Sequence, residues 1–178
     1  MEKIVRKSKI IFPILAFISA VLGGYVSHTI MKDNPDVQQA KEMLKQTGSG
    51  GISAKLLDMS LSASILVNIV STAVAVGIVY IICRLIYKKI NKDNEEMMSD
   101  FNTNHFAIMS FKYIGIIIVA LLSLILQNST SFILSIVLGA IKIMLTIAGA
   151  NYVFSEKRYE NLKYAPNMIL YVIVGILG

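Results

Sequence analysis

The chain is poor in charge. Only 16% of its 178 residues are Asp, Glu, Lys or Arg, against 55% hydrophobic residues, whereas charged residues supply about a quarter of a soluble domain. That balance excludes an ordinary water-soluble globule. Cysteine occurs once, at Cys83, which rules out an internal disulfide and any CxxC chemistry. There are two histidines, and the topology derived below puts His28 and His105 on opposite sides of a membrane, which argues against a metal site. None of the eleven acidic residues falls within an apolar run, so no intramembrane pair of carboxylates is available for acid–base work. HExxH, GxSxG and phosphate-loop motifs are missing, and the many serines have no intramembrane histidine as a base. These absences point away from an enzyme, and no cofactor is expected.

What the chain has is long apolar runs. A helix of about 20 residues, rising about 1.5 Å per residue, crosses a hydrocarbon core of about 30 Å. Four runs approach that length: 10–30, 61–82 with an amphipathic continuation to 87, 106–126 interrupted by Lys112, and 132–154 interrupted by Lys142. A fifth, 166–178, has 13 residues and reaches only about 20 Å. It must recruit 162–165, sit partly inside the protein, or lack a native continuation. The expected fold is all-α: a single integral membrane bundle over 1–178, with five transmembrane helices at about 10–30, 61–87, 106–126, 132–154 and 163–178, and a polar external loop at 31–60.

The net charge of +6 could suggest nucleic acid, but the basic residues flank the apolar runs instead of forming a separate patch, so no nucleic-acid partner is expected. Topology accounts for them better. With the amino terminus inside, twelve Lys and Arg fall on the cytoplasmic side and four outside, as the positive-inside tendency requires. The chain is therefore expected in a cell membrane, crossing it five times, with a cytoplasmic amino terminus and an external carboxyl terminus. The first run is too long for a cleaved signal peptide and lacks an A-x-A site, so it reads as a retained anchor, with Pro13 near its entry. The external loop divides at the glycines of GSGG, 48–51. Before it, Asp36 can cap a helix reaching Gln46, and 52–59 forms a second amphipathic piece. Both suit a solvated hairpin or a contact with lipid or a partner. The segment RLIYKKINKDNEEMMSDFNTNH reads as a helix leaving the membrane and a solvated loop beyond it, with Lys88, Lys89 and Lys92 beside anionic headgroups.

Helices in lipid gain no hydrophobic force from one another and approach through small residues. The first run carries two such rows, Ala16, Ala20, Gly24 and Ser19, Gly23, Ser27, suited to packing within the chain or to a homo-oligomer. In the second, Ser64, Asn68 and Thr72 share a face, and Asn68 should turn inward toward interhelical hydrogen bonds, a ligand or water. In the fourth, Ser131, Ser135, Gly139, Lys142, Thr146 and Gly149 form one polar and small row. A lysine at mid-depth costs roughly 2.5 to 3.5 kcal/mol on insertion scales, so Lys142 should face the interior or a partner. Its options are backbone and amide oxygens such as those of Asn68, an anion or acidic partner, loss of its proton on desolvation, or snorkelling from a shallower depth. Lys112 is read as reaching headgroups along its stem.

The order of KSKIIFPILAFISAVLGGYVSHTI, an external insertion containing DVQQAKEMLKQTG, and NHFAIMSFKYIGIIIVALLSLIL resembles bacterial Yip-domain proteins of the YknW type. The likeness runs from Lys9 to Gly178, and FSEKRYENLKYAPNMILYVIVGIL looks like that family's fourth loop and last span. The resemblance implies a five-span membrane fold without catalytic residues. It also implies a role as an accessory or scaffold, in contact with membrane lipids and with ABC-type exporter subunits in envelope or peptide-toxin defence. Two other readings stay open: a capture component of a transporter, with Asn68 and Lys142 lining an anionic pocket, and an immunity protein against a membrane-active peptide.

Overall fold

The computed structural model describes residues 2–33, 38–39, 42–43, 61–92, 95–126, 132–155 and 164–176. The proposed cap at Asp36, the 52–59 helix and Ser131 lie outside them. Among the described residues the chain is all helical: α1 Glu2–Asp33, α2 Leu61–Ile90, α3 Glu95–Ile125, α4 Phe132–Phe154 and α5 Tyr164–Ile176. The spans of α1 to α4 are long and apolar enough to cross a membrane, and 165–176 forms a shorter apolar helix.

The helices are arranged in a ring whose order differs from their order in the chain. α1 packs against α2 and α3, α4 against α3 and α5, and α5 closes the ring on α2. The amino ends of α1, α3 and α5 meet the carboxyl ends of α2 and α4. Ser8 donates to the Thr103 carbonyl at 3.2 Å, the Tyr80 hydroxyl to Asn102 Oδ1 at 2.7 Å, and the rings of Phe154 and Tyr171 lie 6.0 Å apart. This end also carries exposed Lys7, Lys9, Arg84, Lys88, Lys89 and Lys92, and is called the basic end below. Its core is aromatic: Phe12 stacks on Phe106 at 5.1 Å, Tyr87 and His105 flank Phe101 at 5.0 and 5.3 Å, and Tyr171 lies 5.9 Å from His105.

One expectation is corrected here. The segment before residue 106 is not a solvated loop. α3 begins at Glu95, and Met97, Phe101, Asn104 and His105 are buried, because the row Met97, Phe101, His105, Ile108 recurs at helical spacing and turns into the bundle. The stretch of α3 long and apolar enough to cross a membrane starts at Met97 and contains Asp100. Pro13 stays near the entry of the apolar stretch Lys7–Ile30 but is not in the first turn of a helix, since α1 starts at Glu2 and continues through it. Spanning helices tolerate proline where neighbouring groups satisfy the freed carbonyl.

The short α5 is placed as partial burial in protein requires. Asn167 and Tyr171 are fully buried, and Leu170 and Val174 nearly so, while Ile169, Ile173 and Ile176 face outward.

Candidate functional site

One face of α5 carries a line of polar contacts. Asn167, Tyr171 and Val174 are spaced by four and three residues, so they share a side of the helix. Asn167 and Asn91 exchange a reciprocal pair of amide hydrogen bonds at 3.0 and 3.1 Å, and Asn91 Nδ2 also donates to the Tyr87 carbonyl at 3.0 Å. One turn on, the Tyr171 hydroxyl and His105 Nδ1 share a hydrogen bond of 3.0 Å. One turn further, Lys112 Nζ donates to the Val174 carbonyl at 2.9 Å. The Tyr87 hydroxyl, buried beside this line, approaches the Asn104 side chain without closing a well-formed hydrogen bond.

Lys112 therefore does not reach headgroups, as its place in the sequence suggested. It is 4% exposed, and it meets α5 in the last turn of the described helix. The final carbonyls of a helix have no donor within it, and the helix dipole makes that end partially negative. A lysine ammonium meets both needs at once. For Lys112→Met the Val174 carbonyl loses its donor, and a hydrogen bond from a charged group contributes about 1.5–3 kcal/mol. Cys83, the only cysteine and fully buried between α2 and α5, reports the result: in detergent its maleimide labelling should accelerate about tenfold or more. An unchanged rate would mean that the buried charge costs as much as its bond returns.

Lys142 lies half-buried on α4, where α4 crosses α3 closely. A Cβ on Gly115 would stand 3.2 Å from the Lys142 Cα. The row predicted around Lys142 is divided. Thr146 is fully buried and donates to the Lys142 carbonyl at 2.8 Å, and a Cβ on Gly175 would lie 3.3 Å from the Thr146 Cβ, while a Cβ on Gly149 would lie 2.8 Å from the Phe111 ring. A Cβ added at Gly139 would meet no described atom of another element within 4 Å, and Ser135 lies in α4 with its side chain outside the described set. Lys142 is an electrostatic neighbour of Lys112, so the bundle holds two lysines near each other between the basic end and the far end.

The other predicted residues gather elsewhere. Ala16, Ser19, Ala20 and Gly24 are buried on α1, with Gly23 and Ser27 half-buried. A Cβ on Gly24 would come within 2.6 Å of the Ile65 Cα and 3.0 Å of the Ser64 carbonyl, and one on Gly23 within 3.4 Å of Asn68 Oδ1. Ser64 is buried, and the Asn68 amide donates to the carbonyl of Ser64 at 3.1 Å. The two sets of residues singled out on α1 and α2 thus form one seam. The Asn68 amide bonds within its own helix, a local choice open to polar side chains through the carbonyl four residues back. Thr72 is half-buried farther along the same helix. Asn68 belongs to the α1–α2 seam and Lys142 to the α3–α4 crossing, and α2 and α4 are not neighbours in the ring.

Sequence reasoning passed over Asn91, His105, Lys112, Asn167 and Tyr171 as a group. The available signal was the spacing of Asn167 and Tyr171 in a helix too short to span alone. The class defined by this geometry is an all-helical membrane bundle with a polar line in its interior. No family model, no curated protein and no solved structure matches the chain.

Proposed function

We propose that the protein is a non-catalytic accessory or scaffold of a membrane complex, which binds its partner through the outer face of α2. The observation that supports this most is the open state of that helix: Leu66, Val70, Ile81 and Leu85 are exposed, and a Cβ added at Gly77 would meet no described atom of another part of the chain within 4 Å. Val70, Ala73, Gly77 and Ile81 step by three, four and four residues along one exposed side. Ala73 and Gly77 supply the small pair that lets a second helix approach closely in lipid. Lys142, half-buried on α4, adds a positive charge that an acidic residue of a partner would complement.

The resemblance to Yip-domain proteins directs the choice of partner to the permease and ATPase of an ABC-type exporter, in a role of envelope or peptide-toxin defence. In the same reading the protein is a multi-pass component of the cell membrane with five crossings. The positive-inside tendency puts the basic end in the cytoplasm and the carboxyl terminus outside.

Purification from native membranes in mild detergent tests the proposal. Permease and ATPase subunits should co-purify in fixed proportion, Gly77→Leu should lose them while Cys83 stays protected, and Lys142→Leu should insert normally but retain less partner. A bound small molecule released on denaturation, with no protein partner, would instead support a capture role. Full partner yield with both variants would overturn the two surfaces named here.

A further inference from the structure

We propose that the groove between α2 and α5 binds one acyl chain of an anionic phospholipid, with the headgroup at Lys89. This goes beyond the scaffold reading and does not depend on it. The groove has a volume of about 370 Å³ and an apolar lining that includes Val79, Cys83, Ile86 and Ile90 of α2 and Ile169 and Ile173 of α5. It lies beside the Asn91–Asn167 pair, which ties α5 to the end of α2, and the outward-facing Ile169 and Ile173 form its α5 wall.

The shape selects the occupant. From 79 to 90 the α2 wall rises about 16 Å, close to one leaflet of a core about 30 Å thick. A partner helix is about 10–12 Å wide with its side chains and would need a seam running the whole thickness. A single acyl chain from one leaflet matches the extent of the groove.

The charge selects the headgroup. The groove ends at Ile90, at the basic end. Lys89 follows Ile86 by three residues, so it flanks the lining row, and it is exposed. Among the described side chains this end presents six exposed Lys or Arg residues and one exposed carboxylate, Glu95. A phosphate at the mouth of the groove would meet basic side chains while its chain enters an apolar channel.

The sequence contains no tryptophan, so one introduced indole can be read without background. Ile169→Trp places it on the rim, where the native side chain is 60% exposed. Leu85→Trp places it on α2 outside the groove lining, one turn before Lys89, where the native side chain is 65% exposed. Each full-length variant is reconstituted in phosphatidylcholine vesicles and titrated with either phosphatidylglycerol or phosphatidylcholine brominated on its acyl chains. For Ile169→Trp, half-maximal quenching should need about fivefold less of the brominated anionic lipid than of the zwitterionic one, one lysine contributing about that factor. Leu85→Trp should show a smaller preference, and adding Lys89→Gln should remove most of the preference at Ile169→Trp. Equal half-points for the two lipids at Ile169→Trp, the same preference at both positions, or a preference that survives Lys89→Gln would each overturn the proposal. So would an indole at position 169 that neither lipid quenches, since the groove would then be covered by protein.

Discussion

Gly24→Leu should separate α1 from α2. The Cβ alone would stand 2.6 Å from the Ile65 Cα and 2.9 Å from its amide nitrogen. Both contacts are backbone, which cannot swing aside as a flexible side chain could. The helices would have to part, and the seam of Ala20, Gly23, Gly24, Ser64 and Asn68 would lose the close approach on which packing in lipid depends. Overpacking costs typically 1–3 kcal/mol, and a loss of about 3 kcal/mol is expected because neither backbone can yield locally. The protection of Cys83 from a thiol dye during heating in detergent measures it: the labelling midpoint should fall sharply for Gly24→Leu and stay within the range of a neutral surface change, about 0.5 kcal/mol, for Gly77→Leu. A Gly24→Leu midpoint equal to the parent's would mean that α1 does not lie on α2 in this register.

The second large effect concerns the asparagine pair. Asn91 is 2% exposed and Asn167 fully buried, and each uses its amide on the other. Asn167→Leu leaves Asn91 with an oxygen and a hydrogen that no water can reach, and stranding such groups costs about 1–3 kcal/mol. A loss of about 2 kcal/mol is expected for either single variant. The double variant Asn91→Leu, Asn167→Leu should recover about 1 kcal/mol of the summed losses, because two apolar side chains can face one another where one apolar side chain and one stranded amide cannot. Its labelling midpoint compared with those of the two singles gives the coupling directly. Strict additivity would show that the two amides do not act as a pair.

Much of the architecture could be read from the residues. The small rows of α1 and the bounds of α4 follow from small-residue spacing and run length, and partial burial was one of three outcomes that the reach of thirteen residues left open for the last helix. The start of α3 could not be read, because Glu95, Glu96 and Asp100 give that stretch the composition of a loop. Its inward row becomes visible only once the helix phase is known. That error carried the next one with it. A span starting at 106 puts Lys112 near an interface, whereas one starting at 97 puts it fifteen residues inside, where it serves α5. The polar line on α5 depends on residues distant in sequence, such as Asn91 with Asn167, and no local periodicity reveals that pairing. Asn68 shows the opposite limit: its place on the seam was legible, but its use of the Ser64 carbonyl one turn back, in place of a bond between helices, was not.

The ring order also bears on how the protein is made. Synthesis proceeds from α1 to α5, and the α1–α2 seam, the α1–α3 contact and the α3–α4 crossing each join helices that have already emerged when the later member arrives. Among the described helices α5 is made after the other four, yet it carries the acceptors for Asn91 and Lys112 and closes the gap between α4 and α2. Until α5 docks, Lys112 lacks its acceptor on that helix and Asn91 keeps only its bond to the Tyr87 carbonyl of α2 among the contacts described above. Closure of the described bundle thus depends on the shortest of its five described helices, whose docking turns an open arc of four into a ring.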